Sequence, residues 1–107
     1  MARFLVFWRA NLTAPWPTDP VESLKLLEKM FAAMDDSIKK GAVEEYGFFP
    51  DGTSGYSISK GETTDVFRSA NMWLPYLLFE IHEIIPYEKA KEILRAVLKA
   101  QIAAAKK

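Results

Sequence analysis

The chain has 107 residues, of which 50% are hydrophobic and 26% are charged, a composition typical of one globular domain and not of a disordered segment. Fourteen basic residues balance fourteen acidic ones, so the charge favours neither a nucleic-acid partner nor an anionic membrane. The absence of cysteine excludes disulfides, and a single histidine argues against a zinc site built from side chains, so we expect no metal and no cofactor.

A strand and a long helix are the first predicted elements. Residues 3–10, RFLVFWRA, are dense in aromatic and β-branched side chains, which predicts a strand buried on both faces. A proline-rich loop, NLTAPWPTDP, follows. Asp19 then predicts a helix N-cap, with Pro20 at the first position and Glu22 in the first turn. Apolar residues recur at steps of three and four as far as residue 38, and the run KKG closes the helix.

A β-hairpin and a second helix are predicted next. Residues 43–49, VEEYGFF, and 54–60, SGYSISK, form two strands around PDGT, which contains the turn pair Asp51-Gly52. The second helix begins at Thr63 or Thr64 and ends before Pro75. Its apolar face is formed by Val66, Phe67, Ala70, Trp73 and Leu74.

Residues 77–85, LLFEIHEII, contain the only histidine and lie between two prolines. One hypothesis continues the second helix through this segment, because the isoleucines at 81, 84 and 85 fit a helical stripe. Nine residues bounded by Pro75 and Pro86 and rich in β-branched side chains favour a strand instead. From Tyr87 to about Ala105, apolar residues at helical spacing predict a third helix.

This order of elements predicts a ferredoxin-like α+β fold in a single domain spanning residues 1–107. Two right-handed βαβ crossovers give a four-stranded antiparallel sheet in the order 4-1-3-2, with both crossover helices on one face. The other face is also apolar, since the first strand places Leu5 and Phe7 there and the last strand places Leu78 and Ile84 there. Soluble monomers seldom expose such a patch. Either the third helix or a second copy of the sheet must cover it, and we expect a homodimer.

The chain resembles the dimeric α/β barrel superfamily in its strand order, in the Gly47 and Gly55-Tyr56 hairpin, and in a last strand that runs through His82 into Pro86 and a C-terminal helix. The resemblance spans most of the chain but includes no catalytic motif. It is strongest to the small stand-alone members of the superfamily, many of which have no known function. It implies two sheets packed face to face as a barrel, with a pocket inside the barrel or between each sheet and its helices. Members include muconolactone-isomerase-like enzymes, cofactor-free monooxygenases, haem-degrading enzymes and stress-response proteins, so no single function is implied.

The candidate site residues are few. Glu80 and His82 share one face of the last strand, about 6.5–7 Å apart. Arg9 and Tyr46 are expected on the same side, with Arg9 near Glu80. His82 would act as general acid or base oriented by Glu80, while Arg9 holds an anionic oxygen. The alternative, which we favour, is a hydrogen-bonded network at a subunit contact. Trp16, in the proline-rich loop, is expected to be either a lid over a pocket beside Arg9 or a plug at the sheet edge.

Two functional hypotheses follow. The first is a small homodimeric protein that binds a small apolar or aromatic ligand. The second is a cofactor-independent enzyme, isomerase-like or monooxygenase-like, that acts on a small organic acid or lactone through His82. A pocket that reaches His82 would favour the second. No apolar run approaches the roughly 20 residues of a membrane-spanning helix, and the N-terminal apolar run is too short for a signal peptide, so we expect a cytoplasmic protein.

Overall fold

The computed structural model describes residues 2–106, which form four strands and three helices. Their bounds are β1 (Ala2–Ala10), α1 (Pro20–Lys39), β2 (Val43–Phe48), β3 (Ser54–Gly61), α2 (Thr63–Asn71), β4 (Leu77–Ile84) and α3 (Tyr87–Ala105). The predicted α+β class is confirmed. Residues 77–84 form a strand, so the hypothesis that the second helix continues through them is wrong. Within residues 2–106 no helix is long and apolar enough to cross a membrane.

The four strands form one antiparallel sheet in the order β2-β3-β1-β4, which reads 4-1-3-2 from the β4 edge. Phe7, on β1, lies opposite Tyr56 of β3 and Glu80 of β4, so these three residues share one face. We call this face, which points away from α1 and α2, the outer face. It is formed by Leu5, Phe7, Arg9, Tyr56, Ile58, Leu78, Glu80, His82 and Ile84.

The opposite face, which we call the helix face, carries the small core of the domain. Phe4 and Val6 of β1 are buried against Val66 of α2. Helix α1 begins as predicted, because the side chain of Asp19 accepts a hydrogen bond from the backbone N–H of Glu22. However, α1 has no fully buried residue, and its apolar side stays partly open to solvent.

Helix α3 extends away from the rest of the chain. Only Ile85 and Pro86 separate it from β4, and Pro86 continues the extended backbone of the strand (φ −57°, ψ 144°). The molecule therefore measures 72 × 29 × 25 Å, with a radius of gyration of 19.3 Å, whereas a compact chain of this length has about 13 Å. None of the α3 residues is buried.

Candidate functional site

A cavity of about 670 Å³ lies on the helix face, between α1 and the end of the sheet where β1 finishes and β4 begins. All three tryptophans of the chain line it. We call this cavity the helix-face cleft. Its walls include Trp8, Trp16, Trp73, Leu27, Met30, Phe31, Met34, Asp35, Ile38, Tyr46, Phe48 and Leu77.

Stacked aromatic rings form the floor of the cleft. The ring of Trp8 lies parallel to that of Tyr46, with the centroids 5.6 Å apart and an interplanar angle of 2°. Phe48 meets the same indole edge to face at 4.8 Å. Gly55 makes this arrangement possible, because a Cβ there would lie 2.5 Å from Cζ2 of Trp8. The indole can therefore lie across β3 and reach the tyrosine on the next strand.

The prediction that Tyr46 lies on the side of Arg9 is wrong. The pairing of β2 with β3 shifts register between Val43 and Glu45, so Val43 faces Ser59 and Tyr46 faces Ser57. Such a bulge adds one residue to the strand and reverses the alternation of faces beyond it. Tyr46 therefore points into the helix-face cleft, against Trp8.

Trp16 also lies on the helix face, whereas Arg9 lies on the outer face. The prediction that Trp16 forms a lid beside Arg9 is therefore wrong. Its ring packs on Tyr76 with centroids 4.8 Å apart, and its Nε1 donates a hydrogen bond of 2.7 Å to the carbonyl oxygen of Asn11. These two contacts hold the proline-rich loop against the start of β4. Trp16 is consequently a fixed wall of the cleft.

The electrostatics of the cleft are set by few groups. Among residues 2–106, Asp35 is the only charged residue that lines it. Burial raises the pKa of Tyr46 from 10.0 to about 12, so its hydroxyl is neutral at physiological pH. The indole N–H of Trp8 is buried and has no hydrogen-bond partner within residues 2–106. The cleft is thus an apolar, aromatic space with one carboxylate at its wall.

We expect Tyr46 to ionise near pH 12 in the folded protein. Because its pKa is higher in the folded chain than in the unfolded one, the unfolded state ionises first. Its contribution to stability is complete below pH 10 and is lost as the pH rises from about 10 to about 12. An alkaline titration of the tyrosinate absorbance should show a step near pH 12 that Tyr46→Phe removes.

Tyr56→Phe is the control for that titration. The pKa of Tyr56 is also raised, but chiefly because its hydroxyl donates a hydrogen bond of 2.8 Å to Glu45. The step near pH 12 should survive this substitution. The absence of such a step from the unmodified protein would contradict the half-buried position of Tyr46.

On the outer face, His82 and Glu80 come together as predicted. Nε2 of His82 lies 3.0 Å from a carboxylate oxygen of Glu80, and both side chains are more than half exposed in the single chain. The imidazole also meets the ring of Phe7 edge to face, with centroids 6.3 Å apart. The helix-face cleft does not reach His82, which lies on the other side of the sheet.

Arg9 is placed near this pair without joining it. It lies opposite Leu78, which precedes Glu80 by two residues on the same face of β4. It forms no ion pair within the described part of the chain. Both Arg9 and Glu80 line a shallow cavity of about 420 Å³ beside Phe7. In the single chain, therefore, the predicted trio is a hydrogen-bonded pair and a separate cation.

Sequence reasoning missed Met30, Met34, Asp35 and Phe48 as cleft residues. The helical stripe of α1 was predicted correctly, but the periodicity does not say how far the helix lies from the sheet. Only the spacing between α1 and the sheet shows that they border an open space. A dense local run of aromatic residues on β1 and β2 was the available signal.

The structure describes no group of three or more His, Cys, Asp or Glu side chains in residues 2–106 that could hold a metal ion. No known protein-family model matches the chain, and no curated protein matches it significantly in sequence. The fold and the site together define an α+β protein with an aromatic cleft on one face of its sheet and an open apolar patch on the other.

Proposed function

We propose that this chain is a small homodimeric protein of the dimeric α/β barrel type that binds one small apolar or aromatic ligand per chain in the helix-face cleft. The observation that carries the proposal is the cleft itself. Its volume of about 670 Å³ falls within the roughly 300–1,000 Å³ of small-molecule sites, which are lined mainly by apolar and aromatic side chains.

The walls of the cleft define the class of ligand. The accessible rings of Phe31 and Phe48 in these walls favour an aromatic ligand, because ring pairs add about 0.5–1.5 kcal/mol to the burial of their area. The carboxylate of Asp35 disfavours an anionic ligand. A neutral or weakly basic aromatic molecule fits both features.

The outer face supports the homodimer. Phe7, at the centre of this face, is 37% exposed. Its neighbours Leu5, Ile58 and Leu78 are only partly buried in the single chain. A continuous apolar sheet face of this kind is normally covered by another layer. A second copy of the same face would supply that layer and would close His82 and Glu80 inside the interface.

Met34→Trp should block ligand binding, because it adds a bulky ring inside the cleft. We expect the neutral fluorophore N-phenyl-1-naphthylamine to bind the unmodified protein with a Kd of about 10–100 μM. The variant should bind it about tenfold more weakly or worse, a loss of about 1.4 kcal/mol. The measurement is a fluorescence titration of the naphthylamine emission.

Met72→Trp is the matched control, since Met72 is 79% exposed and lies outside the cleft. It should leave the affinity unchanged. A fluorophore that binds both variants equally well would place the site elsewhere. Failure of the unmodified protein to bind it, or any of a panel of neutral and basic aromatics, would refute the proposed function.

Acid–base catalysis by His82 is a second candidate function, favoured by its 3.0 Å hydrogen bond with Glu80. A carboxylate that orients an imidazole is the usual arrangement of a general base. In this proposal Arg9 would hold an anionic oxygen of a small organic acid or lactone within the barrel.

His82→Ala separates this candidate from a structural role. If the pair is part of a closed subunit contact, the variant leaves Glu80 without its partner, and we expect a loss of about 1–3 kcal/mol in stability and a weaker dimer. Thermal denaturation and sedimentation at several concentrations measure the two effects. A variant that stays dimeric and equally stable would favour the catalytic role.

A further inference from the structure

Helix α3 carries an apolar stripe that contacts no other element extensively. The stripe, which we call the α3 stripe, recurs at steps of one, three and four residues along 19 residues of helix. Its side chains are between 45% and 61% exposed. The α3 stripe is formed by Ile93, Leu94, Val97, Leu98 and Ile102.

The same chain leaves a second apolar surface open, at the rim of the helix-face cleft. Leu27, Phe31 and Ile38 line the cleft from α1, yet each remains more than 40% exposed. An amphipathic helix normally buries its apolar side. The cleft therefore lacks a cover along α1, and the missing cover must be apolar and elongated.

The α3 of the same chain does not supply this cover. It leaves the end of β4 that is remote from the cleft, since the cleft is bordered by Leu77 at the start of that strand. With a link of only Ile85 and Pro86, the helix continues outward to give the 72 Å length. Each chain thus presents one exposed apolar helix and one uncovered cleft, which two copies can exchange.

The area needed by a stable dimer supports the exchange. Four strands at ~4.8 Å spacing and about eight residues at ~3.4 Å give the outer face about 500 Å², whereas a stable interface buries about 800 Å² on each partner. Helix α3, about 28 Å long and about 10 Å wide, offers about 280 Å² more. Sheet face and helix together reach the usual size.

The charges are also complementary. Arg95 flanks the α3 stripe, next to Leu94 and Leu98. It forms no ion pair within residues 2–106, and neither does Asp35 at the cleft wall. A helix laid on α1 of a second copy would bring this cation towards the carboxylate.

We infer that α3 of one copy lies across the helix-face cleft of a second copy, so that each copy covers the cleft of the other. In a face-to-face dimer the sheets lie about 10 Å apart, and the cleft of the partner lies on the far side of the partner's sheet. Helix α3, about 28 Å long, therefore turns towards the partner at the link of Ile85 and Pro86 and passes the edge of the partner's sheet, so that its C-terminal half covers the cleft. The cleft is then complete only in the dimer. That α3 covers the cleft rests on the homodimer of the proposed function and not on its ligand.

Intrinsic fluorescence tests directly whether α3 covers the cleft, because every tryptophan of the chain lines it. Leu98→Glu places a charge in the α3 stripe, whereas Ala96→Glu places the same charge on the opposite side of the helix. We expect Leu98→Glu to raise the acrylamide quenching constant and to shift the emission to the red. Ala96→Glu should match the unmodified protein. Equal quenching in all three proteins would overturn the inference.

Chemical cross-linking identifies the copy that supplies the helix. The chain has no cysteine, so single cysteines can be introduced without background. A tagged chain with Leu27→Cys and an untagged chain with Leu98→Cys are co-expressed and treated with a short bis-maleimide. We expect a cross-linked band that contains one tagged and one untagged chain, and much less of it when Ala96→Cys replaces Leu98→Cys. Equal yields for both partners would contradict docking of the α3 stripe on the cleft.

The two proposals fail in distinguishable ways. If no aromatic ligand binds but Leu98→Glu exposes the tryptophans and the cross-link forms, the covering of the cleft by α3 is supported and the ligand proposal is refuted. If N-phenyl-1-naphthylamine binds and Met34→Trp blocks it while the cross-link is absent, the ligand site is supported and the covering by α3 is refuted.

Discussion

Replacing Phe7 by aspartate is expected to convert the proposed dimer into a monomer of 12.2 kDa. Phe7 lies on the central strand β1, between Tyr56 and Glu80 on its neighbours, and its ring meets those of Phe49 and His82 at 6.5 and 6.3 Å. A second sheet packed on this point would enclose the new carboxylate without a partner, at a cost of several kcal/mol or more. Sedimentation velocity at micromolar concentration measures the result.

Phe67→Asp is the matched control. Phe67 lies on α2 and is 66% exposed. The same substitution there should leave the association state unchanged. A compact monomer for the unmodified protein, or a dimer that survives Phe7→Asp, would refute association through the outer face.

Trp8→Ala should produce the largest loss of stability of any single substitution considered. Trp8 is only 4% exposed, and its indole supports both Tyr46 and Phe48. Truncation of a buried tryptophan costs about 3–5 kcal/mol, because it removes buried area and leaves a cavity that relaxes only in part. Urea denaturation at fixed protein concentration measures the change in the free energy of unfolding.

Trp16→Ala is the comparison for this prediction. Trp16 lines the same cleft but is only half-buried, and it stabilises a loop through Tyr76 and the Asn11 carbonyl. Its loss should cost clearly less than that of Trp8, while ligand binding weakens in both variants. Equal destabilisation by the two substitutions would show that Trp8 does not anchor the floor of the cleft.

Local signals along the chain were sufficient for the type and order of the elements, although α2 ends at Asn71 and not immediately before Pro75 as predicted. The N-cap at Asp19 and the hairpin turn at Asp51 follow from short-range chemistry, since each side chain bonds to backbone N–H groups two or three residues away. The strand β4 follows from two prolines and β-branched density. These features need no knowledge of the rest of the fold, and the structure agrees with each of them.

The faces of β1 and β4 were also predictable, whereas that of β2 was not. Along β1, strict alternation correctly separates Phe4, Val6 and Trp8 from the outer face. In β2 the bulge at Glu44 and Glu45 reverses the alternation and turns Tyr46 to the helix face. A bulge depends on how two strands pair, so no pattern within one strand reveals it.

The sequence by itself determined the elements, their order, the sheet that they form, and the pairing of His82 with Glu80, because each depends on period, caps and turns within short stretches of chain. Only the tertiary structure decided that α1 stands off the sheet to leave an aromatic cleft, that Tyr46 and Trp16 line it, and that α3 extends into solvent. These depend on distances between elements far apart in the chain. An apolar stripe indicates that a helix packs against a partner, but it does not indicate which surface, or which copy of the chain, provides that partner.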